Sequence, residues 1–261
     1  MKFLITLQKS NKDAVIPINY QYPLSSAIYR ILSKGDAEYS KFLHEVGYGK
    51  GYKFFTFSDL KMKYKRIGDR MHILDDKVFL KVCFHLPEAS RTFIEGLFKS
   101  EEIVIADKQS KAEFRVQSIV AQASPLAEFE DEKEIVQITV QPESPVVIGF
   151  KKSDGNYDFL APDEEGYLES LIYSWREKIK AAYDEPTAQK APLVAETEFY
   201  NNPYRSRLIH IKDGTAAHTK IKGFENFKLK LTAERRFLDL LLNAGVGLYS
   251  GQGMGCVGVR E

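Results

Sequence analysis

The chain is short of several things that would have settled its class at once. It has 2 cysteines in 261 residues, at positions 83 and 256, so there is no disulfide framework and no paired thiol motif for zinc. That usage fits a reducing cytosol, and a cytoplasmic location is the expectation. Charge of one sign is not in excess: Lys plus Arg number 37 against 36 for Asp plus Glu, so the global balance announces no polyanion partner. No apolar run approaches membrane-spanning length, and no membrane partner is expected. The apolar start at residues 1–7 is too short for a secretory leader and reads as a first strand. No Walker ending, Gly-x-Ser-x-Gly elbow or catalytic acid pair appears.

What is present is unevenly placed. Six of 17 glycines fall between Gly245 and Gly258, after an apolar helix-like segment and before a strand-like end. Glycine so dense permits positive φ and close approach of backbone N–H groups to an anion such as a phosphodiester. A helix cap followed by a glycine-rich turn is the plainer alternative, with Gly245 as a natural C-cap. Charge is also divided: residues 41–81 hold ten Lys/Arg against five Asp/Glu, residues 199–230 hold seven against two, and residues 124–170 hold three against twelve. Such a chain can present one basic and one acidic surface while remaining neutral overall.

Periodicity orders the elements. After a strand at about 2–7, Leu24, Ala27, Ile28, Ile31 and Leu32 are spaced as one face of a helix opening near Pro23. A second helical stripe, Tyr39 to Val46, is closed by Gly47. A strand at 53–57 follows, then a hairpin turning near Asp75 and Asp76 into a β-rich arm at 78–84. A helix from Pro87 and strands near 103–105 and 112–122 complete a βαββαβ set, the ferredoxin-like unit. The acidic stretch 127–134 is the expected linker. Beyond it the order recurs: strands at 135–150 and 157–160, a helix at 163–183, a loop at 184–204, strands at 207–212 and 220–231, a helix at 233–243, the glycine loop and a last strand. The fold class is therefore α+β with tandem ferredoxin-like, RNA-recognition-like domains, at 1–126 and 135–261.

The pattern Gly245-x-Gly247 followed by Gly253-x-Gly255 before a terminal strand resembles the C-terminal signature of the CRISPR-associated endoribonucleases that cut precursor CRISPR RNA within its repeats. Residues 16–30, 42–46 and 53–58 resemble that family's opening block in the same order. The resemblance implies two ferredoxin-like units in tandem. It also implies a catalytic histidine at His44, with Tyr29 and Lys53 as its partners.

The residues read independently suit that chemistry. His44 leaves the buried stripe one place after Leu43 and lies in the last turn before Gly47, where a helix end favours positive charge. An imidazole to move protons, with a phenol and an ammonium to orient or neutralise a phosphorane, fits cleavage of RNA by its own 2′-OH. The glycine-containing stretch between His44 and Lys53 leaves Lys50 as an alternative lysine. For RNA binding, the expected contacts are Gly245, Gly247, Gly253 and Gly255, together with Arg205, Arg207, Lys212, Lys220, Lys222, Lys228 and Lys230; spacing by two puts each basic pair on one strand face. His72, His85, His210 and His218 show no close ligand spacing in sequence, so neither a metal nor another cofactor is expected. Repeat RNA is the expected partner. A non-catalytic RNA-binding or scaffold subunit of a CRISPR effector complex is the rival reading, and homodimerisation stays open.

Overall fold

The computed structural model describes every residue except 154, 156, 202, 203, 214, 217 and 261. Asn202 and Pro203 of the expected 184–204 loop, and Glu261 at the end of the second domain, lie outside the described residues.

The N-terminal half comprises β1 (Lys2–Lys9), β2 (Val15–Pro17), α1 (Gln21–Gly35), α2 (Ala37–Glu45), β3 (Phe55–Phe57), β4 (Tyr64–Ile67), β5 (Arg70–Ile73), β6 (Lys77–Phe84), α3 (Pro87–Ser100), β7 (Glu102–Ala106) and β8 (Lys111–Gln122). Its main sheet runs β3-β6-β1-β8-β7, all antiparallel. Without β7, this is the 2-3-1-4 order of a ferredoxin-like unit. β1 alternates as a half-covered strand should, burying Phe3, Ile5 and Leu7 beneath α1 and α3. On α1 the predicted stripe of Leu24, Ala27, Ile28, Ile31 and Leu32 is buried in full.

The C-terminal half comprises β9 (Ile135–Pro142), β10 (Gly149–Lys151), β11 (Tyr157–Phe159), α4 (Tyr167–Ala182), α5 (Glu185–Lys190), β12 (Val194–Phe199), β13 (Arg205–Ile211), β14 (Thr219–Glu225), β15 (Phe227–Glu234), α6 (Arg235–Ala244), a 3₁₀ turn (Ser250–Gln252) and β16 (Val257–Arg260). Its sheet order, β12-β15-β9-β16, again reads 2-3-1-4. Trp175 on α4 is fully buried and donates its indole N–H to the Phe237 carbonyl at 3.1 Å, joining the two covering helices.

Four sequence expectations need correction. The stretch 184–204 is not a loop: it holds α5 and β12, and β12 is the second ferredoxin strand. As an edge strand it carries Glu196 and Glu198 toward solvent and only Ala195 fully into the core, so its apolar signal is faint. The strand expected at 207–212 is β13 of an inserted hairpin. The run 220–231 divides into β14 and β15 at Asn226, whose φ of 63° breaks the strand. In the N-terminal half the hairpin reverses at Gly68–Asp69 between β4 and β5, and Asp75 instead accepts from the Lys63 amide at 2.6 Å in the link to β6.

The halves meet along β3 and β6 on one side and α6 with the glycine-rich loop on the other. Lys81 on β6 donates to Glu143 at 2.7 Å, Thr56 on β3 to the Met254 carbonyl at 2.9 Å, and Ser25 on α1 to the Gly251 carbonyl at 2.8 Å. Cys83 and Cys256 are both free and buried. Among the described residues, no helix is long and apolar enough to cross a membrane.

Candidate active site

The glycine-rich loop and the N-terminal block close on one cleft of about 640 Å³. One wall is the flank of α1 beside its buried stripe: Tyr22, Ser25, Ser26 and Tyr29 recur at helical spacing and all line the cleft. The opposite wall is the chain from Gly247 to Gln252, with Lys212 and Tyr157 at the rim.

α2 delivers His44. Its N-terminus is capped by Asp36, whose carboxylate accepts from the Tyr39 amide at 2.9 Å. Its end is fixed by Gly47, at φ 71°, whose amide donates to the Phe42 carbonyl. Leu43 is buried and His44, one residue on, is exposed in the last turn. The imidazole meets the Tyr29 ring edge-on, with centroids 5.2 Å apart, and Tyr29 in turn rests edge-on against Phe55 at 5.5 Å. Burial raises the Tyr29 phenol well above its ordinary range, so near neutral pH it is an uncharged hydroxyl.

Lys53 stands just before β3, and its ammonium donates to the His44 carbonyl at 3.1 Å. Burial lowers its pKa from the ordinary lysine range. Among the described residues it pairs with no carboxylate, so an anion entering the cleft finds this cation uncommitted. Lys50 differs: its ammonium is held 2.7 Å from Glu177 and 3.1 Å from the Tyr173 hydroxyl, both on α4. The hydrogen bond to Glu177 is the main reason its pKa is raised.

The residue that joins these groups is Gly251, which carried no assignment in the sequence. A Cβ there would lie 2.9 Å from the Lys53 Cγ and 3.4 Å from the Tyr29 hydroxyl. The absent side chain is what lets both groups reach the loop. Among the described residues, the amides of Ser250 and Gly251 at the start of the 3₁₀ turn donate to no protein acceptor, leaving them available to an anion.

The sequence-predicted binding residues separate into groups. Gly247 lines the cleft. Gly245, Gly253 and Gly255 are buried beneath it, where added Cβ atoms would meet Ser250 and Thr56, the Phe57 ring and the Val246 carbonyl. Lys178, fully buried on α4, donates to the Gly245 carbonyl and so ties α4 to the loop's first residue. Arg205 and Arg207 share a face of β13, while Lys220 and Lys222 project from the other face of the hairpin, beside His210 and Leu208. Arg207 turns into the seam, 2.9 Å from Asp59 and 3.4 Å from Glu225. Lys228 and Lys230 lie on β15 opposite Glu198 and Glu196. Lys230 is 3.9 Å from Glu196, and the Lys228 ammonium sits over the Tyr200 ring. The expectation of unrelated histidines is corrected for one pair: His210 and His218 come together at the hairpin tip with Asp213.

Fold and cleft together define a tandem ferredoxin-like protein with a polar, cationic groove under a glycine-rich C-terminal loop. Residues 15–119 match the family described as CRISPR-associated protein Cas6, N-terminal, and residues 126–259 match CRISPR associated protein Cas6, C-terminal. The chain belongs to the Cas6 family. It is 30% identical over 187 residues, 71% of this chain and 68% of the relative, to a protein of Methanocaldococcus jannaschii named CRISPR-associated endoribonuclease Cas6 1. It is 27% identical over 269 residues, 100% of this chain and 90% of the relative, to CRISPR-associated endoribonuclease Cas6 of Pyrococcus furiosus. A solved structure described as a Cas6-related gene from Pyrococcus furiosus shares the fold at a TM-score of 0.79 and 22% identity, covering 100% of this chain and 98% of the other.

Proposed function

We propose that this chain is an endoribonuclease that cuts CRISPR repeat RNA in the cleft by attack of the RNA's own 2′-OH, without a catalytic metal. The carrying observation is the convergence of His44, Tyr29 and Lys53 beneath Gly251, three groups from three elements that meet only in the folded chain.

The donor set favours transesterification. None of the described residues lining the cleft is a carboxylate, the ligand type that Mg²⁺ uses most readily. In the proposed step the 2′ oxygen forms a bond to phosphorus and the bond from phosphorus to the 5′ oxygen breaks. The 2′ proton leaves to a base, and the 5′ oxygen takes one up. His44, exposed in the last turn of α2, moves these protons. Lys53 and the free amides of Ser250 and Gly251 face the charge that builds on the phosphorane, while the neutral Tyr29 hydroxyl orients a phosphate oxygen. The products are a 2′,3′-cyclic phosphate and a 5′-hydroxyl. Lys212 at the rim and Lys220 and Lys222 on the outer face of the hairpin supply the path for flanking phosphates. The half-buried, ion-paired Arg207 contributes to that path by fixing the hairpin in place.

A repeat RNA with a single 2′-deoxy nucleotide immediately upstream of the cut tests the mechanism. It should bind as the all-ribose RNA does and stay intact, and the all-ribose RNA should be cut at an undiminished rate in EDTA. Cleavage of the deoxy substrate, or loss of cleavage in EDTA restored by Mg²⁺, would refute the mechanism. Binding with no cleavage of either RNA would favour a non-catalytic repeat-binding subunit.

A further inference from the structure

The hairpin formed by β13 and β14 is inserted between the second and third ferredoxin strands and belongs to neither sheet. At its open end, where β13 closes at Ile211 and β14 begins at Thr219, Lys212 reaches the rim of the cleft. At that end three side chains with metal-binding atoms face one another. His210 Nδ1 and His218 Nε2 are 3.2 Å apart, His218 Nε2 and Asp213 Oδ1 3.5 Å, and His210 Nδ1 and Asp213 Oδ1 3.8 Å. We propose that His210, Asp213 and His218 form a three-ligand site for a divalent transition ion of the zinc class, which braces the hairpin tip and the Lys212 loop beside the cleft.

The spacing is that of ligands around a small ion. Zinc bound at about 2.0–2.1 Å in tetrahedral geometry sets neighbouring ligand atoms about 3.4 Å apart. The same bond lengths in an octahedron would set them about 3.0 Å apart. The three observed distances bracket the tetrahedral value and all exceed the octahedral one. A hydrogen bond between the imidazoles accounts for the shortest distance alone. The 3.5 and 3.8 Å approaches of one carboxylate oxygen to two rings are too long for good hydrogen bonds, yet suit a shared ion.

Donor chemistry narrows the ion. Two imidazoles and one carboxylate suit zinc, and hard cations such as Mg²⁺ and Ca²⁺ would be held poorly by such nitrogen donors. Lys212 and Lys220 stand near and disfavour any cation, which further selects an ion with strong imidazole affinity. The backbone gives the ion a structural role. Lys212 adopts φ of 52°, a conformation that a side-chain-bearing residue keeps only when its surroundings hold it there. Ligands at 210 and 213 flank it on both sides.

The site lies outside the His44 group, so its test needs no RNA. The full-length untagged chain is stripped with a chelator, exposed to excess Zn²⁺, desalted and assayed for metal. About one zinc per chain should be retained. His210→Ala and His218→Ala should each weaken zinc binding by at least about 100-fold, since loss of a ligand costs no less than loss of an outer-shell partner. Asp213→Asn should weaken it less, and His72→Ala should leave it unchanged. In the unmutated chain zinc should also slow amide hydrogen exchange across residues 205–225, a readout that survives if a variant folds poorly. Retention of less than about a tenth of an equivalent, or retention unaffected by the two histidine substitutions, would overturn the proposal.

Discussion

At the scale of single residues, the site depends as much on a missing atom as on reactive ones. Gly251 has an ordinary negative-side backbone, so an alanine there carries no penalty of positive φ; its added methyl meets Lys53 and Tyr29 instead. Gly251→Ala should therefore slow single-turnover cleavage roughly 10–100-fold, through displaced catalytic groups, while the melting temperature barely moves. Gly255→Ala makes the contrast: φ is 71° and the new Cβ falls on the Val246 carbonyl, so stability should drop first. Equal melting temperatures for these two variants would contradict that division. His44→Ala should cut the rate by about 10²–10⁴ while leaving repeat-RNA affinity nearly intact. A wild-type rate in that variant would move the proton transfer to another group. Of this set His44, Tyr29 and Lys53 were visible in sequence because they sit in a recognisable ordered block. Gly251 was not, since it stands outside the paired Gly-x-Gly pattern and its importance comes from what packs against it.

At the scale of elements, α4 anchors the glycine-rich loop through a buried lysine. Burial pulls the Lys178 ammonium down to about 7. In the unfolded chain the same group keeps its proton to about pH 10.4. Between those values the unfolded state binds more protons, so this group makes folding more favourable as pH rises; below about 7 both states are protonated and the burial penalty is constant. The stability of the unmutated chain minus that of Lys178→Met should thus grow as pH is raised from about 6.5 to about 9.5. Chemical denaturation at several pH values reads this directly, and a flat difference would mean that the ammonium stays charged on α4. Elements also explain what was misread in sequence. Helices with a full apolar stripe, such as α1, were legible. The edge strand β12 was not, because its outward residues are charged and prolines at 186 and 192 mark the region as irregular.

At the scale of the whole molecule, the two ferredoxin-like units are fixed to each other by polar ties around the cleft. Arg207 reaches from the inserted hairpin to Asp59, which also accepts from Tyr20 and Gln21 at 2.9 Å each. The Tyr20 hydroxyl accepts from the Leu60 amide, closing the network. Removing the guanidinium leaves Asp59 and Glu225 facing each other in a half-buried seam. Arg207→Ala should therefore cost about 1–3 kcal/mol, less than a fully buried pair because water reaches part of this one. It should also speed hydrogen exchange in residues 205–225 more than in β1 or β9. Unchanged exchange in the hairpin would show that the seam holds without this pair.

The sequence alone determined the tandem ferredoxin-like class, the glycine-rich end and the ordered N-terminal block that carries Tyr29, His44 and Lys53, because each is a local pattern: a period of 3.6 or 2, a cluster of one residue type, or an ordered motif. Only the tertiary structure decided which glycine packs against Tyr29 and Lys53, that Lys50 is the lysine held by a carboxylate, and which basic residues face outward. It also decided that His210, Asp213 and His218 meet. Those are distances between side chains carried by different elements or by opposite arms of a hairpin, and no spacing along the chain encodes them until the sheets close and the loop folds back over α1.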